Sequence, residues 1–191
     1  MSPQAIAAIP RPALTALALI VLAAAAGTLS VEPAAAGQCG NADAGPREIT
    51  RKQARDAVVC LVNRARSVRG RGRLDGKSSL RRAAGRHSRR MAKRDCFSHR
   101  CPGEADLVDR IFGTKYLPCS CAWGIAENIA WGEDDLGTPR KIFTAWMNSA
   151  EHRRNILDRD YSDIGIGVAW GSPSGAGHDA ATYTTDFGYK R

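Results

Sequence analysis

Four histidines are spread along this sequence, and two of them, His99 and His152, stand where an imidazole can do chemistry. Each falls where a helical pattern ends or restarts, beside aromatic and polar residues, in Cys96-Phe97-Ser98-His99 and in Trp146-Met147-Asn148-Ser149-Ala150-Glu151-His152. Neutral imidazoles bind divalent metals, and a histidine titrates near neutral pH, so the pair suits ion binding or acid-base work. No short metal motif joins them, because 53 positions separate the two, and only a fold can bring them together. The other two read differently. His87 lies on the apolar stripe of a helix, the setting of a core histidine with one ring nitrogen satisfied, and His178 lies in a Gly- and Ser-rich loop open to solvent. Ser149, three residues before His152, shares its face if the helix runs unbroken, which makes a serine nucleophile conceivable. The plainer role for Ser149 is to cap the turn that carries His152.

Helices must come first in the chain and strands last. Ala54, Ala57, Val58, Leu61, Val62 and Ala65 recur at helical spacing, with Thr50 as N-cap and an end near Gly70. Arg69 to Lys77, rich in glycine and basic residues, reads as a loop. Ser78 or Ser79 then caps a helix whose inner face is Leu80, Ala84, His87 and Met91. Ala105 to Phe112 is a short helix and Ile125 to Trp131 an extended segment. Thr138-Pro139 opens a helix continuing through Ile142, Trp146 and Ser149. Trp146 is expected in the core, while Trp123 and Trp131 flank a segment that can line a cleft. Ile164 to Trp170 and Tyr183 to Phe187 alternate with a period of two, giving two strands joined by the loop Gly171 to Asp179.

The composition, 43% hydrophobic and 25% charged over 191 residues, excludes a disordered or fibrous chain and fits one domain. Residues 1–36 read as a secretory signal peptide. Arg11 precedes an apolar run from Ala13 to Leu29, and the small residues Ala34-Ala35-Ala36 offer a cleavage site. The competing reading is an uncleaved anchor, at the lower limit of a membrane span. Gln38 before Cys39 does not suit a lipoprotein signal. Residues 37–49 form a polar leader, extended and held only if Cys39 is bridged, and residues 50–191 the folded domain. All six cysteines follow the cleavage site, so they read as a disulfide framework of an exported protein, with connectivity left open among 15 pairings. After cleavage no transmembrane segment remains, and a secreted monomer is expected.

The net charge of +9 is concentrated between Arg64 and Arg94, which hold thirteen Lys or Arg against one acid, Asp75. Such a stretch can hold anionic polymers or lipid head groups, or be a solvated helix face. Nucleic acid is not expected as a partner, because this stretch has no aromatic residue on which bases can stack.

Five motifs occur in the order found in bacterial members of the CAP superfamily (cysteine-rich secretory proteins, antigen 5 and pathogenesis-related 1; the SCP domain). They are Phe97-Ser98-His99, Glu127-Asn128-Ile129-Ala130, Trp146-Met147-Asn148-Ser149, His152-Arg153-Arg154-Asn155-Ile156-Leu157 and Ile164-Gly165-Ile166-Gly167-Val168. With Leu61 to Arg64 at the start and Tyr183 to Gly188 at the end, the chain resembles that family over roughly residues 55 to 189. The resemblance implies an α+β fold, an α-β-α sandwich with a central antiparallel sheet and a cleft. It implies His99, Glu127 and His152 as site residues, with His99 and His152 able to hold zinc or another divalent metal alongside Glu127. Where eukaryotic relatives place a second acid, this chain has Ser149, with Glu151 nearby. Glu127 can be a third ligand or can orient an imidazole while His152 serves as acid or base; with Asn128 it can also simply satisfy buried amides. Three functions are consistent with these residues. The first is a secreted binding module whose cleft takes a divalent metal and an envelope or extracellular ligand. The others are a metal- or acid/base-assisted hydrolase in the same cleft, and a basic adhesin for anionic polymers. Whether the chain is an enzyme stays open.

Overall fold

The computed structural model describes residues 39–117, 122–175 and 179–191. The signal-peptide reading, Cys119, Cys121 and His178 lie outside the described residues. Thr50 begins helix α1 (Arg51–Ser67) with a capping box, its side chain accepting from Gln53 N–H while Gln53 returns a bond to the Thr50 backbone. Helix α2 (Ser78–Lys93) follows. Its N-cap is Lys77, with no side-chain cap, and Ser78 is its first helical residue rather than its cap. The short helix α3 (Leu107–Phe112) starts two residues later than the pattern suggested, where Asp106 accepts from Asp109 N–H. Thr138 caps helix α4 (Pro139–Asn148), with proline at its first position. The helical face does not run on through Ser149: the chain breaks there, and Ser149 becomes the N-cap of helix α5 (Ala150–Leu157).

Four strands form one sheet: β1 (Asp75–Gly76), β2 (Trp123–Glu133), β3 (Asp163–Trp170) and β4 (Ala180–Lys190), in the spatial order β1-β3-β4-β2. The last three pair antiparallel, as expected, but β1 pairs parallel with β3 through Asp75↔Asp163 and Gly76↔Ile164. The basic loop therefore contributes a two-residue strand that composition concealed. Too short to show a period, it is fixed by backbone hydrogen bonds such as Lys77 N–H to Ile164 O at 2.8 Å.

Alternation assigns the two faces of the sheet. Ile164, Ile166 and Val168 from β3 and Tyr183 and Phe187 from β4 face α1, α4 and α5, burying Val58, Val62, Ile142, Trp146 and Ile156 against them. The opposite face carries Glu127 and Ile129 of β2, Thr184 and Asp186 of β4 and Gly165 and Gly167 of β3, covered by α2 and α3. Gly165 and Gly167 let α2 press directly on the sheet: a Cβ on Gly167 would lie 2.2 Å from the backbone of Ala84. Ser88 and Thr184 seal this contact with a 2.9 Å hydroxyl bond. The result is the expected α-β-α sandwich.

Two disulfides are formed among the described residues, Cys39–Cys60 and Cys96–Cys101. The first ties the leader to α1. The leader is not extended but turned, packing Cys39 and Ala42 against Ala57 and Leu61 and pairing Asp43 with Arg140 at 2.5 Å.

Candidate functional site

The site is built along β2, an edge strand of the sheet. On the α2 side of the strand, Glu127 is buried and both of its carboxylate oxygens are engaged. Oε1 lies 2.8 Å from His99 Nδ1, and Oε2 accepts from Arg110 Nη2 of α3 at 2.5 Å. His99 belongs to the exposed loop closed by Cys96–Cys101, and Arg110 Nη1 also donates to its carbonyl at 2.7 Å. A covalent clamp, a backbone contact and a ring contact thus fix this imidazole. Burial alone would raise the pKa of Glu127, but the His99 hydrogen bond and then the Arg110 charge outweigh it and hold the carboxyl below its ordinary value. An ionised Glu127 accepts from Nδ1–H, and this contact favours, for the uncharged ring, the tautomer with Nε2 unprotonated on the ring edge away from the buried carboxylate.

Behind Glu127 lies a buried polar cluster. His87 is fully buried, as expected of a core histidine, and its Nδ1 meets Glu104 Oε2 at 2.8 Å, so one ring nitrogen is satisfied. Its Nε2 faces Glu127 Oε1 at 3.8 Å without a hydrogen bond. Burial first, then the Arg110 charge, depress the pKa of His87 despite the acids beside it, so the ring is neutral at pH 7. Asp186 stands directly across the β2–β4 ladder from Glu127, fully buried, and neither of its oxygens has a hydrogen-bond partner. Two like charges opposite each other in a ladder are unfavourable. Burial, then the charge of Glu127, push the Asp186 carboxyl well above the usual carboxylate range, and it is the neutral member of the pair.

His152 approaches from the other side of β2. Its backbone N–H is capped by Ser149 Oγ at 3.5 Å and its carbonyl accepts from Asn128 Nδ2 at 3.0 Å. Asn155 bonds Asn128 Oδ1 at 2.8 Å, so the Asn128–Asn155 pair fastens α5 to the strand. The half-buried imidazole of His152 makes no hydrogen bond among the described residues. Its pKa is depressed, first by desolvation and then by the charge of His99, with a smaller opposing pull from Glu151. Both histidines therefore meet β2, His99 through its ring on Glu127 and His152 through its backbone carbonyl on Asn128. Ser149 Oγ accepts from the His152 N–H as the cap of α5, and Glu151 is exposed. The acid set beside Glu127 is Asp186, which the motifs did not single out.

Glu127 does not fit as a metal ligand, since Arg110 and His99 occupy its oxygens, and among the described residues no three His, Cys, Asp or Glu side chains converge as a metal site. That leaves the imidazoles of His99 and His152 as the nitrogen donors near β2, with Glu127 hydrogen-bonded behind the first. Trp146 is buried in the core and donates Nε1–H to Ile129 O at 3.0 Å on the same strand. Trp123 packs edge-on against Phe112, ring centres 6.0 Å apart. Arg110 and Glu104 escaped notice in the sequence. The available signal was an arginine in the apolar Leu107-Val108-Asp109-Arg110-Ile111-Phe112 run, on the inner face with Leu107 and Ile111.

Comparison with known proteins follows the same outline. The profile of the cysteine-rich secretory protein family, CAP, matches residues 59–185. The uncharacterized protein YkwD of Bacillus subtilis is 31% identical over 142 residues, covering 73% of this chain and 51% of its own length, so the chain spans about half of that relative. Among solved structures, an outer surface protein from Borrelia burgdorferi superposes with a TM-score of 0.62 at 18% identity, covering 75% of this chain and 97% of that one. An extracellular SCP-domain protein from Bacillus anthracis gives a TM-score of 0.57 at 24% identity, covering 73% of this chain and 43% of that one. At these identities the two structures speak for the fold alone.

Proposed function

The chain belongs to the cysteine-rich secretory protein (CAP) family, and from that premise we propose that it is an extracellular binding module whose ligand engages His99 and His152 at the edge of β2. The observation that carries the reading is the 2.8 Å contact of buried Glu127 with His99 Nδ1, backed by Arg110. It fixes the tautomer and aim of an exposed imidazole, a use of a buried carboxylate that packing does not require. A depressed pKa keeps His152 in the neutral form that a ligand or ion can use. Export is supported by the disulfides, which persist in oxidising compartments, and among the described residues no helix is long and apolar enough to cross a membrane.

A divalent ion would be held by His99 and His152, supplying a Lewis-acidic centre with positions open to oxygen donors of an envelope or extracellular ligand. Zinc titration of untagged protein by calorimetry tests this. One ion per chain is expected, lost in His99→Ala and His152→Ala and weakened roughly 10- to 100-fold in Glu127→Gln, the usual effect of an outer-shell partner. Equal affinity in all four proteins rejects it.

The same dyad favours one further reading, a hydrolase in which His99 activates water. A screen of peptide, ester and glycan substrates should show turnover abolished by His99→Ala and reduced by Glu127→Gln. Turnover unaffected by both places the chemistry elsewhere.

A further inference from the structure

At the other edge of the sheet, α1 and α2 gather six arginines around one pocket of about 370 Å³: Arg51 and Arg55 from α1, Arg81, Arg82, Arg86 and Arg89 from α2. The two helices cover opposite faces of the sheet, so this is not one solvated helix face but a notch between two. Its floor is the segment Ile166 to Val168 of β3. Strand β1 ends at Gly76, opposite Ile164, and no strand among the described residues pairs with β3 beyond that point on this side. Backbone groups alternate along a strand, and Ile164 turns its own toward β1. The N–H groups of Ile166 and Val168 accordingly point to the open edge of the sheet, at the notch that the six arginines also line.

Among the described residues no carboxylate lies within ion-pair distance of any of the six. Elsewhere on α1, the neighbouring Lys52 is paired with Asp56 at 2.7 Å. Arg51 with Arg55, and Arg82 with Arg86, stand at the four-residue spacing where like charges repel. Burial, followed by the charge of Arg81, lowers the pKa of Arg55. Only Arg82 is partly committed, donating to Thr114 O at 2.9 Å. A multivalent anion would relieve this repulsion.

We infer that this notch is a binding site for a soluble chain of linked phosphate groups, distinct from the His99 edge. Guanidinium forks bind phosphate oxygens bidentately, and six of them on two helices exceed what one isolated anion can satisfy. No aromatic residue lines the notch, so there is no platform for bases. A lipid surface is disfavoured as the source of phosphate because none of the exposed large hydrophobic residues (Val68, Phe97, Val108, Phe112, Leu136) lines the notch to insert beside it.

The test is calorimetric titration with sodium tripolyphosphate at about physiological ionic strength, comparing the parent, R81E/R86E and the charge-matched control R154E/R159E. Saturation at one tripolyphosphate per chain is expected, weakened at least tenfold in R81E/R86E and less than about threefold in the control. Equal weakening in both variants means that net charge alone is responsible and overturns the site. So does polyglutamate or duplex DNA binding as tightly as tripolyphosphate, or phosphatidylglycerol vesicles binding with the same arginine dependence while tripolyphosphate does not. If R81E/R86E does not fold, phenylglyoxal labelling of the parent, mapped by mass spectrometry, decides. Tripolyphosphate should protect Arg81 and Arg86 but not Arg154, and equal labelling with and without it refutes the inference.

Discussion

Replacing Asp186 with Asn should stabilise the protein, and the gain should grow with pH. Asp186 is completely buried, its weak contacts with Glu127 and the Ala84 backbone do not offset that burial, and Glu127, ionised by its contacts with His99 and Arg110, stands directly opposite. Its folded pKa lies well above the ordinary aspartate value, first through burial. In the unfolded chain Asp186 loses its proton near pH 4, while in the native state it keeps it. The native state then binds one proton more than the unfolded state, so stability falls as pH rises, by about a factor of ten in the folding equilibrium per pH unit. Between about pH 5 and 7 the parent should lose stability relative to Asp186→Asn, by about 1.4 kcal/mol per pH unit for as long as Asp186 holds its proton, because the variant titrates in neither state. Glu127, with its lowered pKa, is ionised in both states across that window and adds no slope. His87, whose folded pKa is depressed, costs stability as pH falls below about 6.5, but does so in parent and variant alike and cancels in the difference. Urea unfolding of both proteins at three pH values across the window measures the effect, with equal m-values as the check on two-state behaviour. A stability difference that does not change with pH would mean that Asp186 is already ionised in the folded protein, and the description of the buried cluster would be wrong.

The two disulfides should separate stability from site geometry. Chain entropy gives about 3 kcal/mol for the Cys39–Cys60 loop and about 2 kcal/mol for the shorter Cys96–Cys101 loop. Removing the second by C96S/C101S should cost less in urea melts yet raise amide exchange in residues 97–101 and weaken ligand binding at His99; unchanged exchange there would contradict the clamp. Gly167→Ala should lose at least about 3 kcal/mol, the upper end of overpacking costs, because its Cβ would meet backbone atoms of Ala84 at 2.2 Å, whereas Gly72→Ala, with nothing within 4 Å, should stay within about 0.5 kcal/mol. Comparable melts for both variants would show that α2 does not sit on bare strand backbone.

What the sequence made legible were features that repeat or that local chemistry determines. The helical stripe of α1, the proline start of α4 and the alternation in β3 and β4 each recur often enough to be read without knowing their partners. The capping of His152 by Ser149 was legible as a role but not as a break, because one serine serves equally as an inward helical residue and as the cap of a new helix; only the extended φ −88°, ψ 128° of Ser149 decides it. The parallel partner β1 has two residues and hence no period at all. Half of the candidate site was hidden for a different reason. Glu127 is informative because of what surrounds it, and its neighbours come from a short helix, a loop and a neighbouring strand: Arg110 is 17 residues away, His99 is 28 residues away, and Asp186 meets it only through β2–β4 register. A sequence motif can nominate an acid near a histidine, but whether that acid binds a metal or aims an imidazole depends on a third residue's charge. Here Arg110 takes Glu127 Oε2, so the carboxylate is committed inward, and the chemistry open to the site is that of the imidazole it holds.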